Sequence, residues 1–214
     1  MSKLYSSNYF YFTNAFPKTG VMNAQEFIGK IQDLADERHA QLAPVSANAP
    51  IAHIILGYPG NGKTSYVQKI SKPNDAIFST DSLRGLIRYE QNVSTVSDAM
   101  YLGYFDTLLD NFVSTRKNIW FDGIFLNIYL RMTLITTMHE YGYQVHIHSL
   151  LNDEFMNKCF NARIRDISYS TGRSPESVFN EFVYTLRKIK EDTLVDLQES
   201  LNLFPLHSEK FITY

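Results

Sequence analysis

The eight residues from Gly57 to Thr64 have types and spacing suited to holding a chain of phosphate groups. They read GYPGNGKT and fit the pattern G-x-x-x-x-G-K-[ST] without a gap. The glycines let the backbone curl so that successive N–H groups point inward at phosphate oxygens. We expect Lys63 to reach the β- and γ-phosphates and the Thr64 hydroxyl to ligate Mg²⁺. The predicted nucleotide-binding residues are Gly57, Tyr58, Pro59, Gly60, Asn61, Gly62, Lys63, Thr64 and Ser65.

The segments on either side of this loop indicate a strand before it and a helix after it. Residues 51–56 (IAHIIL) form a short apolar run, and residues 64–70 can continue as a helix. A glycine turn that matches by chance would lack this setting, whereas phosphate binding requires a strand, the loop and a helix in that order. The sequence therefore predicts binding of a nucleoside triphosphate, ATP or GTP.

A second group of polar residues follows the next predicted strand, residues 76–80, and opens a predicted helix. In the segment STDSLR, Asp81 and Arg84 lie three residues apart, so on a helix both face one direction. A carboxylate there can accept the proton of an attacking hydroxyl, and a guanidinium can hold an anionic group of the acceptor. The alternative is that Asp81 only caps the helix and Arg84 is a solvated charge. Beside a phosphate loop, catalysis is the favoured interpretation.

The arginines near residues 163–174 suggest a lid over the triphosphate. Arg163, Arg165 and Arg173 surround a segment rich in Ser, Thr and Gly, residues 168–172, which we expect to be flexible and to lie between two helices. Such a basic segment can close over the phosphates and neutralise charge during transfer. A solvated helix face is the alternative. As the phosphate ligands we favour Arg165 and Arg173 over Arg163.

The loop GYPGNGKTS, the segment STDSLR and an arginine-bearing segment before GRSPE together resemble the polynucleotide kinase and zeta-toxin group of P-loop kinases. The resemblance covers residues 51–184 and implies transfer of the γ-phosphoryl group of ATP or GTP to a hydroxyl. It further implies that Asp81 is the general base and that Arg84 lies near the acceptor. In such kinases a threonine-asparagine pair tends to follow directly after the aspartate that ends the next strand. Here that aspartate is Asp122, and Gly123 follows it.

Asp122 ends the predicted strand NIWFD, residues 118–122. P-loop kinases often place an acidic residue at this point for Mg²⁺ and its water or to position the substrate arginine, which makes Asp122 a candidate metal ligand together with Thr64. A plain turn residue is the alternative.

The alternation of strands and helices from residue 51 onward predicts a three-layer α/β fold of the P-loop kinase type, with a parallel central sheet. We assign residues 51–214 to this domain, including a long helix near 176–201 and a last strand near 211–214. Residues 1–50 are expected to be an extension. It contains aromatic residues, a helix near 24–42 and a linker. We expect the aromatic residues to pack on the domain or on a second copy, and stacking on bases is the alternative.

The composition excludes several classes of protein. The 214 residues are 44% hydrophobic and carry a formal charge of -2, which is typical of a globular domain without a global positive field for nucleic acid. The single cysteine can form neither an internal disulfide nor a thiolate metal site. No apolar run reaches about 18 residues, and no basic leader precedes one, so we expect a cytoplasmic protein without membrane contact.

The sequence does not decide which compound accepts the phosphoryl group. The 5′-hydroxyl end of DNA or RNA is the first choice, because of the STDSLR resemblance. The runner-up is a nucleotide sugar, as in zeta toxins, or another small hydroxyl metabolite, towards which the acidic pI of about 6.3 leans. A nucleotide-binding switch or ATPase subunit without any phosphate acceptor is the third hypothesis. The sequence decides neither the preferred triphosphate nor the oligomeric state.

Overall fold

A parallel five-stranded sheet forms the centre of the protein. The computed structural model describes residues 3–14, 24–58, 60–123, 125, 128–150, 153–181, 183–184 and 210–213. The strands are β1 (Ile51–Leu56), β2 (Ala76–Ser79), β3 (Ile119–Asp122), β4 (Gln144–Ser149) and β5 (Lys210–Thr213). Their order is β2-β3-β1-β4-β5, and every neighbouring pair is parallel. The predicted α/β fold with a parallel sheet is confirmed.

Helices cover the sheet, and those that follow β1 lie between successive parallel strands in the chain, as parallel pairing requires. They are α1 (Leu4–Asn14), α2 (Ala24–Ala40), α3 (Lys63–Ile70), α4 (Thr80–Gln91), α5 (Asp98–Ser114), α6 (Ile128–Glu140) and α7 (Asp153–Thr171). Residues 175–181 are also helical. Among the residues described, no helix is both long enough and apolar enough to cross a membrane.

The strands bury side chains on both faces, so the core has two parts. Ile54 of β1 points into the larger part, together with residues of α1, α2, α5 and α6. Ile55, its neighbour in the strand, points to the opposite face and packs with Val67 of α3 and with Trp120. This alternation along a strand places helices on both sides of the sheet and explains the three layers.

Helix α1 belongs to the larger core. Tyr5 and Phe12 are fully buried, and both pack in the cluster that contains Ile54. The Glu140 carboxylate at the end of α6 accepts a hydrogen bond from Asn8 Nδ2 of α1 at 2.8 Å and pairs with Arg38 of α2 at 2.5 Å. Tyr5 and Phe12 of α1 therefore pack on the domain, which is one of the outcomes that the sequence allowed, whereas Phe10 is 51% exposed.

The segment predicted as a flexible lid differs from the expectation. Helix α7 continues to Thr171, and the hydroxyls of Ser170 and Thr171 donate to the carbonyl of Ile167 at 3.2 and 2.6 Å. Gly172, with φ of 68°, ends the helix in the left-handed conformation. The Ser- and Thr-rich composition suggested a flexible connection, but only residues 172–174 are non-helical here.

Part of the final predicted helix lies outside the described residues. Residues 175–181, 183 and 184 are helical, whereas residues 185–201 are not described. The last predicted strand corresponds to β5.

Candidate active site

The phosphate loop connects the end of β1 to the start of α3. Gly60 and Gly62 have φ values of 82° and 70°, a left-handed conformation that suits glycine. The N–H of Asn61 donates to the Tyr58 carbonyl at 3.1 Å, and its side chain donates to the Leu150 carbonyl beyond β4. Gly62 caps α3 without a side chain, which leaves the first N–H groups of that helix to a ligand. Pro59 lies outside the described residues.

The Lys63 side chain folds back over the loop. Its Nζ donates to the carbonyl oxygens of Gly57 at 2.9 Å and Tyr58 at 2.8 Å. Burial lowers the pKa of Lys63 to about 8, although the carboxylates of Asp122 and Asp81 oppose this shift. Phosphate oxygens can replace the two carbonyls as partners of the ammonium group, since they are stronger acceptors.

Thr64 and Asp122 meet at the carboxyl ends of β1 and β3. The Thr64 hydroxyl donates to Asp122 Oδ2 at 2.7 Å, and Asp122 is only 8% exposed. Within the described part of the chain, no three His, Cys, Asp or Glu residues are grouped as a metal site. Mg²⁺ often takes one or two protein oxygens and completes its shell with phosphates and water, so this hydroxyl and carboxylate fit it.

A cavity of about 620 Å³ lies between the phosphate loop and α7. Residues 60–65 line one side, Asp81, Asp122 and Gly123 line the sheet edge, and α7 contributes the opposite side. The residues from α7 are Ala162, Arg163, Asp166 and Ile167. Their spacing of three and four places them on one face of the helix. The cavity is large enough for a nucleotide, since small-molecule sites span roughly 300–1,000 Å³.

Arg163 is the arginine of α7 that lines this cavity, while Arg165 and Arg173 lie elsewhere. Arg165 donates its Nε to the carbonyl of Asn161 at 3.2 Å. Arg173 pairs with Glu181 at 2.7 Å. The sequence-based ranking of these arginines assumed a flexible segment, whereas α7 is continuous to Thr171. A helical projection of that segment would have placed Arg163 and Asp166, but not Arg165, on one face.

A second cavity of about 190 Å³ adjoins the first on the other side of Asp81. Asp81 and Arg84 of α4, the two residues that the sequence assigns to the acceptor, both line it, and the Arg84 guanidinium carbon lies 4.7 Å from the ring centroid of Tyr101. Burial raises the pKa of Tyr101, so its phenol remains protonated. The lining residues that sequence reasoning missed are Tyr5, Tyr9, Thr80, Asp98, Tyr101, Leu102, Phe125, Tyr129 and Leu130.

Asp81 is the one described residue that lines both cavities. Its neighbour Thr80 is buried and its hydroxyl lies 3.5 Å from the Asp122 carbonyl oxygen, because Ser79 of β2 pairs with Asp122 of β3. The strand register therefore sets the distance between the start of α4 and the end of β3. This places the Asp81 carboxylate between a site for phosphates and a smaller pocket.

A parallel sheet with a phosphate loop after its middle strand and helices on both faces defines a P-loop nucleotide-binding protein. The sequence profile of the zeta toxin family matches residues 35–198, most of the chain. The chain belongs to the zeta toxin family of P-loop kinases, as the resemblance in the phosphate loop and STDSLR predicted. Use of a nucleotide and phosphoryl transfer are the activities that this family suggests.

Several solved structures are similar to parts of this chain. A chain of the Pnkp1/Rnl/Hen1 RNA repair complex is 19% identical over 68% of this chain and 47% of its own length, with a TM-score of 0.46. A structure of the PezAT toxin-antitoxin system of Streptococcus pneumoniae is 18% identical over 77% and 73%, with a TM-score of 0.39. A gluconokinase from Sinorhizobium meliloti 1021 is 14% identical over 77% and 81%, with a TM-score of 0.40.

The present chain thus spans less than half of the repair-complex chain. No curated protein matches it.

Proposed function

We propose that this protein is an ATP- or GTP-dependent kinase that phosphorylates a hydroxyl of an acceptor bound in the smaller cavity. The observation that carries the proposal is the position of Asp81, which lines both the phosphate-loop cavity and the smaller one. A kinase needs a base at the junction of its donor and acceptor sites. A nucleotide-binding switch or ATPase needs no second pocket there.

The larger cavity would hold the nucleotide. The loop N–H groups and Lys63 would bind the β- and γ-phosphates, and Arg163 would face them from α7. Thr64 and Asp122 would hold Mg²⁺, which when bound neutralises charge on the phosphates. Of the lid arginines, Arg163 is preferred to Arg165 for this role because it lines the cavity.

Asp81 would act on the acceptor. Its carboxylate accepts the proton of the hydroxyl while that oxygen bonds to the γ-phosphorus, and the bond to the β–γ bridging oxygen breaks to release ADP or GDP. Asp81 is exposed at the junction, so it can be reached from both cavities. Arg84, held over the Tyr101 ring, would bind an anionic group of the acceptor.

The size of the smaller cavity favours a small hydroxyl compound as the acceptor over the 5′-hydroxyl end of a polynucleotide, which was the first choice from the sequence. Its volume of about 190 Å³ is below the usual range of roughly 300–1,000 Å³ for a drug-sized ligand. Side chains from α1, α4 and α5 enclose it, including Tyr9, Arg84 and Tyr101. This supports a compact group such as the sugar of a nucleotide sugar.

The test is phosphoryl transfer from labelled ATP or GTP to 5′-hydroxyl oligonucleotides, nucleotide sugars and free sugars. We expect Asp81→Asn to lower transfer by about 10²–10⁴-fold while nucleotide affinity stays near the wild-type value. Glu90→Gln is the matched control, because Glu90 is an exposed carboxylate near the other end of α4 that bonds to the Tyr104 hydroxyl. Hydrolysis that no acceptor accelerates and that survives Asp81→Asn would refute the kinase and leave an ATPase.

A further inference from the structure

Helix α1 is fixed in place by a carboxylate from another helix. Asp106 of α5, only 5% exposed, accepts hydrogen bonds from the backbone N–H groups of Tyr5 at 3.0 Å and Ser6 at 3.3 Å, and from the Ser6 hydroxyl. The first N–H groups of a helix lack partners within it, so Asp106 caps α1 from outside. Asn8 adds a bond from Nδ2 to Thr137 Oγ1 of α6 at 3.0 Å. These buried contacts give α1 one defined position.

In this position, two tyrosines of α1 face the smaller cavity. Tyr5 and Tyr9 are four residues apart and therefore lie on one side of the helix. Tyr5 stacks on Phe105 with ring centroids 3.8 Å apart, so it cannot turn away without breaking core contacts. Tyr9 is half-buried at the cavity, whereas its neighbour Phe10 is 51% exposed.

We infer that α1 forms one wall of the acceptor site and that Tyr9 is a specificity-determining residue that contacts the acceptor. This inference rests on the proposed function, because it takes the smaller cavity as the acceptor site. The family profile begins to match at residue 35, so α1 lies outside the region that the chain shares with that profile. The nucleotide site lies within that region, whereas the acceptor site takes one wall from a segment before it.

The lining of the cavity indicates the chemistry of the compound. The rings of Tyr9 and Tyr129 offer flat apolar faces on which a sugar or aromatic ring can stack. The Asp98 carboxylate can accept a hydrogen bond from a hydroxyl, and the Arg84 guanidinium can pair with an anionic group. The acceptor class is therefore a compact ring that carries hydroxyls and has an anionic group attached.

The test separates acceptor binding from nucleotide binding. Initial rates with labelled ATP are measured for UDP-glucose, glucose and a 5′-hydroxyl oligonucleotide, with wild type, Tyr9→Ala, Tyr9→Phe and Phe10→Ala. We expect Tyr9→Ala to raise the KM of the accepted compound about tenfold, with the KM for ATP and the hydrolysis without acceptor unchanged. Tyr9→Phe keeps the ring and should stay near wild type. Phe10→Ala, on the exposed side of α1, should change none of these values.

Three outcomes would overturn the inference. An unchanged acceptor KM in Tyr9→Ala refutes it while leaving the kinase intact, and an equal rise in the KM for ATP indicates a general structural role. Hydrolysis of ATP by wild type that none of the three compounds accelerates, and that survives Asp81→Asn, refutes the inference and the proposed function together.

A second variant tests whether α1 contributes to the acceptor site without changing Tyr5 or Tyr9. Asp106→Ala removes the cap of α1, so hydrogen exchange at residues 4–14 should become faster and the acceptor KM should rise. Faster exchange with an unchanged acceptor KM would show that α1 does not contribute to the site.

Discussion

A methyl group added at Gly123 tests whether the close approach of β3 and α4 sets the position of Asp81. A Cβ atom built on Gly123 would lie 2.5 Å from Cγ2 and 2.6 Å from Oγ1 of Thr80, and 3.0 Å from the Phe125 ring. Ordinary contacts begin near 3.4 Å, so Gly123→Ala forces a displacement of about 1 Å. Thr80 is 8% exposed and β-branched, so it has little freedom to rotate away. The start of α4, and Asp81 with it, must move instead.

The effects of Gly123→Ala on the free energy of unfolding and on the rate of phosphoryl transfer can both be calculated approximately. Overpacking of a buried position destabilises the folded protein by about 1–3 kcal/mol. Replacing glycine by alanine also lowers the conformational entropy of the unfolded chain, which stabilises the folded protein by about 0.4–1 kcal/mol. We therefore expect Gly123→Ala to lower the free energy of unfolding by about 1–2 kcal/mol. A displacement of about 1 Å in a catalytic group can cost about 100-fold in rate, so phosphoryl transfer should fall more than stability suggests.

The assay combines urea unfolding with the rate of transfer, and the chain offers a matched control. Gly85 lies within α4, and a Cβ there would meet nothing within 4 Å. Gly85→Ala should therefore stabilise the protein by about 0.5–1 kcal/mol and keep its activity.

Thr80→Ala provides the decisive comparison, because it removes both of the closest atoms. The double variant Thr80→Ala with Gly123→Ala should recover much of the stability and rate lost in Gly123→Ala alone. If Gly123→Ala is as stable and active as wild type, or if the double variant recovers nothing, the close approach does not position Asp81.

Two further predictions concern the nucleotide side. Because burial lowers the Lys63 pKa to about 8, kcat/KM for ATP should fall as the ammonium loses its proton near pH 8. In the ATP complex the phosphates favour the charged ammonium, so the kcat profile should bend at higher pH, and identical profiles would contradict this. Arg163→Ala should lower kcat by about 100-fold, whereas Arg165→Ala and Arg173→Ala should stay near wild type in the same assay. The reverse ranking would favour the sequence-based choice.

The nucleotide loop could be predicted from the sequence because its parts are contiguous. Glycines, a lysine and a threonine at set spacing specify the local backbone, and the apolar run before them forms β1 over Ile51–Leu56 as expected. The helix after the loop begins at Lys63, one residue before the predicted start. Short-range patterns suffice for the phosphate loop, because all of its residues are consecutive in the chain.

The smaller cavity could not be predicted in this way, since its walls come from distant segments. Tyr5 and Tyr101 were visible in the sequence only as aromatic residues, and packing in the core was the natural expectation for such residues. Their place beside Asp81 depends on the cap that Asp106 gives to α1 and on the packing of α1 against α5. These contacts join residues about a hundred positions apart, and no local pattern encodes them.

The two cavities therefore differ in how freely each could change. A substitution in the loop acts on backbone conformations that Gly60 and Gly62 must keep, so the nucleotide site tolerates little variation. The smaller cavity is bounded by side chains such as Tyr9 and Tyr129, which can be exchanged without altering a strand or the loop. If α1 is the wall that we assign, exchanges at Tyr9 should change which acceptor is phosphorylated while the use of ATP stays constant. The acceptor of such a kinase then depends in part on α1, which precedes the residues that the family profile matches, and in part on side chains within that region, such as Arg84.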